Sequence, residues 1–297
     1  MTRLTSRTFL VFAILLASIF PLNFFLPTQG LPAGTHDQLS GKQGEVLVVT
    51  VPVQGNPGRV VGHLLNREIV FFPVGESEYA GLLGLDMQDK PGHHKLMIQV
   101  EYPDRKERHR VTVLLMKEDF RVQHLKLPKK MVDLDSKTLA RVRKESKLLH
   151  HAFESVLPEP LWNSPFIEPV QGRVSGRFGS RRVINGQHKR PHSGEDIAAP
   201  KGTPVVAMNT GMVRLTMDHF FTGKGVILDH GLGLFSMYFH LSAVDVTQGQ
   251  LVEKGQPIGK VGATGRATGP HLHWGVRLNG SRIDPYSLLK VSLDSTS

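Results

Sequence analysis

The chain has 297 residues, enough for two ordinary domains, a formal net charge of +10 and no cysteine. The missing thiols exclude disulfides, thiolate zinc sites, a cysteine nucleophile and a lipidated cysteine. The positive balance favours an anionic partner, but no zinc finger, RRM core or basic helical region is present, and nucleic acid is set aside.

Arg3 and Arg7 precede an apolar stretch from Phe9 to Phe25 that Pro21 and Asn23 interrupt. Residues 1–30 read as a secretory signal peptide, with Thr28-Gln29-Gly30 at a plausible cleavage spacing. The alternative is an uncleaved anchor that attaches the protein to a membrane, since roughly twenty apolar residues can span a bilayer. In either case the rest of the chain is expected outside the cytoplasm.

Residues 40–128 read as short strands. Val46–Val51, Glu68–Phe72, Leu96–Val100 and Val111–Leu115 are rich in β-branched and other apolar residues, and Gly/Pro/Asp turns separate them. That pattern predicts an antiparallel β-sandwich without a catalytic constellation. His93 and His94 are expected to be solvated turn residues. Within the linking segment 131–160 the period changes from Ser136 to Val156: Leu139, Val142, Leu149, Phe153 and Val156 recur at helical spacing. Asp135 or Ser136 can cap the start, and Pro158 and Pro160 stop it, so a linking helix is expected.

Residues 165–290 are glycine-rich and again strand-like, with no βαβ rhythm, so the fold class is mainly β, antiparallel in both halves. Two strands carry histidines. In Gly269-Pro270-His271-Leu272-His273-Trp274-Gly275, His271 and His273 stand at i and i+2 and leave the same face. Leu272, Trp274, Val276 and Leu278 point to the core, and Gly275 leaves room on the histidine face. Two imidazoles held this way make half of a metal site. On Leu234–His240, Phe235, Met237 and Phe239 form one apolar face, and His240 is expected to project with Tyr238 onto the other. Upstream, His192-Ser193-Gly194-Glu195-Asp196 reads as a loop entering a strand and offers an imidazole and a carboxylate, both competent zinc ligands.

Together, Gly176-Arg177-Phe178-Gly179, His192 to Asp196, Ala199 to Val205, Tyr238-Phe239-His240-Leu241, Gly255-Gln256-Pro257-Ile258-Gly259 and Thr268 to His273 resemble the catalytic domain of the lysostaphin/LytM family of zinc metallopeptidases. The upstream sandwich resembles the immunoglobulin-like domain found ahead of bacterial envelope peptidases. The resemblance implies that His192, Asp196 and His273 bind Zn2+, and that His240 and His271 are non-ligand catalytic histidines. Two histidines and one carboxylate leave an open coordination position, as a catalytic zinc requires. The implied activity is an exported endopeptidase that hydrolyses peptide cross-links of peptidoglycan in the periplasm or cell envelope. The alternative is a non-catalytic activator of other wall hydrolases. A third reading takes Gly249 to Gly255 as half of a biotin/lipoyl carrier modified at Lys254, but the Met-Lys-Met context is missing.

Overall fold

The computed structural model describes residues 38–293, apart from positions 155 and 164. The expected leader, residues 1–30, lies outside the described residues. No helix among the described residues is long and apolar enough to cross a membrane.

The first half is a two-sheet sandwich. One sheet has five strands in the order Gln38–Lys42, Lys106–Met116, Gly92–Glu101, Arg59–Leu64 and Arg67–Val70. The other pairs Val46–Pro52 with Glu78–Gly84 and Phe72–Pro73. Alternate residues turn inward from both sheets: Val49 and Val51 meet Leu96, Ile98, Val100, Val111, Val113 and Leu115 in one core. This is the period-two pattern of the sequence expressed as burial. One pairing departs from the antiparallel expectation, because Gln38–Lys42 runs parallel to Lys106–Met116. His93 and His94 begin the Gly92–Glu101 strand rather than lying in the turn; His93 is exposed, and His94 Nε2 lies 2.7 Å from Lys90 O.

The helix runs Ser136–His151, starting where expected and ending short of Val156. Asp135 is the cap: its Oδ1 accepts from Thr138 N at 2.7 Å. The helix is more than a linker. Leu149 and the following Phe153 pack on Met217, Ile227, Phe235 and Met237 of the second half. Glu145 Oε2 accepts from Phe220 N at 2.9 Å, and Arg141 Nη2 donates to Asp218 O at 3.1 Å.

The second half is built on a large sheet in the order Arg173–Gly176, Gly194–Ala198, Leu272–Leu278, Leu234–Leu241, Gly223–Asp229, Gly211–His219 and Leu251–Val252. Leu272, Trp274, Val276 and Leu278 are fully buried in its core, as the alternation predicts. The halves are joined by polar and apolar contacts. Arg282 Nη2 and Nε donate to the two oxygens of Asp86 at 2.7 and 3.1 Å. Ser281 Oγ donates to Gly84 O, and Leu82 enters the second core. Val122–Leu125, which follows the sandwich, adds a parallel strand to Arg181–Ile184.

Candidate active site

Register brings the motifs together. Asp196 stands directly opposite His273 on the neighbouring strand, Phe239 stands opposite His273 on the other side, and Gly176 stands opposite Asp196. His192 lies just ahead of the Gly194–Ala198 strand and is 1 % exposed. Three ligand atoms then converge: His192 Nε2 to Asp196 Oδ1 is 2.9 Å, His273 Nδ1 to Asp196 Oδ1 is 2.8 Å, and His192 Nε2 to His273 Nδ1 is 2.9 Å. They form the one group of three or more metal-competent side chains found among the described residues.

Close backbone approach is required here. A Cβ on Gly176 would stand 2.5 Å from Asp196 Oδ2, and one on Gly194 would stand 2.4 Å from Trp274 O and 2.9 Å from His273 Nε2. Only glycine leaves the carboxylate and the imidazole in place. The stacked Phe239 ring lies 5.7 Å from His273, at an interplanar angle of 2°.

The remaining two histidines stand beside the cluster. His271 Nε2 lies 3.7 Å from Asp196 Oδ1, and the His240 and His271 ring centroids are 4.8 Å apart. His271 Nδ1 lies 2.8 Å from Gly269 O, and His240 Nδ1 lies 2.8 Å from Thr264 O. Only an N–H can face a carbonyl, so Nδ1 donates in both rings, and in the neutral form of either ring the lone pair is on Nε2. His192 Nδ1 donates in the same way to Arg177 O at 3.0 Å.

The placement of His240 corrects the simple alternation. Its φ is +64°, the left-handed region, and the register slips between Lys224 and Val226. Phe239 and His240 thus occupy an irregular step, a bulge that turns His240 onto the face of Phe239 and His273. Tyr238 goes the other way. It is fully buried with Leu241 in the core, three residues apart rather than two, as a bulge demands.

Burial opposes charge on two of the rings, and the carboxylate stays ionised. Burial alone would raise the Asp196 carboxyl, but the close approach of His192 and His273 to its Oδ1 outweighs it and holds the group well below the usual carboxylate range. Burial lowers His192 to about 4. Burial, with help from the neighbouring His273 and His271, lowers His240 to about 3. The second carboxylate oxygen of Asp196 is also engaged: Arg182 Nη2 donates to Oδ2 at 2.9 Å. No spacing rule pointed to Arg182, because it and Asp196 lie on strands of two different sheets.

The donor set fits a metal. Imidazole nitrogens and a carboxylate oxygen face one point, with the His192 N–H already committed elsewhere, and two imidazoles with one carboxylate form a zinc-type set with room for water. A cleft of about 590 Å³ opens over His192, His240 and His273, and a cavity of about 210 Å³ lies on the side of Asp196 and His271. The walls come partly from upstream of residue 165: Val142, Glu145 and Leu149 of the helix line the larger space, and Gln123 and Leu125 line the smaller.

Of the other singled-out residues, only His219 reaches the cleft. His188 is exposed. His230 is fully buried, bonded through Nδ1 to Thr210 O and through Nε2 to Ser236 Oγ, and so is a core residue rather than the turn residue expected. His219 lines the larger cleft beside Phe221. Lys254 Nζ donates to Asn163 Oδ1 at 2.6 Å and Pro165 O at 3.1 Å.

Residues 190–285 match peptidase family M23. A crystal structure described as a candidate M23 peptidase from Pseudomonas aeruginosa is 32 % identical, with a TM-score of 0.64, over 82 % of this chain and 92 % of that one. The peptidoglycan DD-endopeptidase ShyA of Vibrio cholerae is 40 % identical over 127 residues, which is 42 % of this chain and 29 % of the relative. The DD-carboxypeptidase/endopeptidase Mpg of Neisseria meningitidis is 43 % identical over 123 residues, 41 % of this chain and 28 % of the relative. The matched segment thus spans less than a third of the length of these curated relatives.

Proposed function

Because the chain belongs to the metallopeptidases of family M23, we propose that it is a zinc-dependent endopeptidase of the cell envelope that hydrolyses peptide cross-links of peptidoglycan. His192, Asp196 and His273 hold the metal in this reading. The supporting observation is the convergence of their ligand atoms to within 2.9 Å, with two further imidazoles alongside. Zinc held there supplies activation of water and polarisation of the scissile carbonyl. The relatives named DD-endopeptidase point to the direct D-alanyl cross-link as the bond.

His240 and His271 do the proton work. Each donates Nδ1–H to a backbone carbonyl and presents Nε2 as the acceptor. Between them they take the proton of the attacking water, hold it as an Nε2–H facing the developing oxyanion and return that same proton to the leaving amine. Arg182 orients Asp196 by engaging the carboxylate oxygen turned away from the imidazoles. The division of labour places a positioning sandwich over residues 40–128, with an immunoglobulin-like character, and the chemistry over 165–290. Residues 1–30 direct or anchor the chain outside the cytoplasm.

The test is digestion of purified peptidoglycan by the zinc-loaded protein beside His273→Ala, with the fragments identified by mass spectrometry. Metal-dependent loss of cross-linked fragments is expected. Intact cross-links with no zinc retained by the folded protein would refute the hydrolase reading and leave an activator of other wall enzymes; intact cross-links with zinc bound would refute peptidoglycan cross-links as the substrate of the uninhibited site.

A further inference from the structure

Arg182 and Arg266 line both the larger cleft and the smaller cavity, and His240 lines both with them. The two guanidinium groups are not equivalent. Arg182 is committed, through Nη2 to Asp196 Oδ2 at 2.9 Å and through Nε to Gln123 Oε1 at 3.4 Å. Arg266 is half-buried, and among the described residues no carboxylate stands within ion-pairing distance of it. The charge that acts on it is the like charge of Arg182. Its guanidinium carbon lies 4.1 Å over the Phe221 ring, and its backbone N donates to Phe221 O at 2.9 Å. The side chain is therefore fixed in place on an aromatic face while its five donors lack an anion.

A partly desolvated cation beside a second cation is electrostatically incomplete. Its planar fork matches a carboxylate in a bidentate manner. Its place on the wall it shares with His240 sets any such carboxylate in the cleft that opens over the candidate site.

We propose that Arg266 is a specificity-determining residue that binds a carboxylate of the substrate peptide flanking the scissile bond. This rests on the peptide-hydrolase reading above. Peptide cross-links offer two sources of that group: a free α-carboxylate on the residue that donates the scissile amine, and a side-chain carboxylate on an adjacent residue. Arg266 selects among bonds by this charge, whereas Arg182 serves Asp196.

The experiment uses the full zinc-loaded chain and two pairs of synthetic cross-linked peptides. One pair differs only in α-carboxylate against α-carboxamide, the other only in side-chain carboxylate against its amide. The acid-to-amide ratio of kcat/KM is measured for wild type, Arg266→Gln and Arg266→Lys, and the Kd of each cleavage product is measured by calorimetry. For wild type the ratio is expected to be on the order of 10–100 for one of the pairs, which names the source. Arg266→Gln should bring that ratio to about 1, and Arg266→Lys should restore part of it. A ratio kept by Arg266→Gln while both rates fall would overturn the proposal and leave Arg266 as a support for the Phe221 loop; so would a wild-type ratio of about 1 in both pairs. If no peptide is cut but acid products still bind more tightly than their amides, and only with Arg266 present, the hydrolase reading fails and the carboxylate site stands. Products bound equally well in acid and amide form would overturn the site itself.

Discussion

His240 allows its backbone and its side chain to be tested apart. Its φ of +64° lies where a Cβ meets the following carbonyl, at a cost of roughly 1–2 kcal/mol for a non-glycine residue. His240→Ala and His240→Gly both delete the imidazole and its bond to Thr264 O, so that loss cancels in their comparison. In an ordinary strand position glycine is less stable than alanine by roughly 0.5–1 kcal/mol, because its unfolded chain is freer. Here the relieved strain exceeds that entropy, and His240→Gly should be the more stable variant by about 0.5–1 kcal/mol. Urea unfolding of the two variants side by side, with equal m-values, reads the difference directly. Both should retain zinc, and both should lose turnover on peptidoglycan by about 10²–10⁴-fold if the ring carries protons. An alanine variant more stable than the glycine variant would refute the strained-bulge account, and full activity in either would refute the catalytic role.

Three further outcomes are expected. Gly194→Ala drives a Cβ to 2.4 Å from Trp274 O, a backbone atom that cannot yield, so a loss of roughly 1–3 kcal/mol is expected by thermal or urea unfolding; wild-type stability would show that the strands part freely. Gly176→Ala meets Asp196 Oδ2 at 2.5 Å and should weaken zinc retention against a chelator while circular dichroism stays native; unchanged retention would remove Asp196 from the ligand set. Asp86 is raised by burial but lowered on balance by its bonds to Arg282, so its folded pKa lies below the unfolded value of about 3.9. Its contribution is therefore complete above about pH 4 and lost as pH falls through the folded pKa. Asp86→Asn should cost about 1.5–3 kcal/mol at pH 7, and the deficit should shrink at pH 3; a deficit independent of pH would deny the ion pair that role.

The residues of the site were legible in the sequence because the two short motifs are local. In a strand, i and i+2 share a face by covalent geometry, which is enough to pair His271 with His273 and to send Leu272 and Trp274 to the core. The same alternation gave the wrong face for His240, because a bulge is set by the partner strand and not by the residues that make it. Glycine and proline punctuation marked the two β regions, since backbone freedom is a property of the residue itself. It could not show the parallel edge pair Gln38–Lys42 with Lys106–Met116, whose members lie far apart in the chain.

What the tertiary structure alone decided is the surroundings of the site. Register, which depends on which strands become neighbours, set Asp196 opposite His273 and Gly176 opposite Asp196. Long-range packing made the Ser136–His151 helix a wall of the cleft, whereas its periodicity showed only that one face would be covered. The separation of Arg182, held by Asp196, from Arg266, held only by an aromatic face, has the same origin. Charge compensation is a matter of distance in space, and the chain order of two arginines carries none of it.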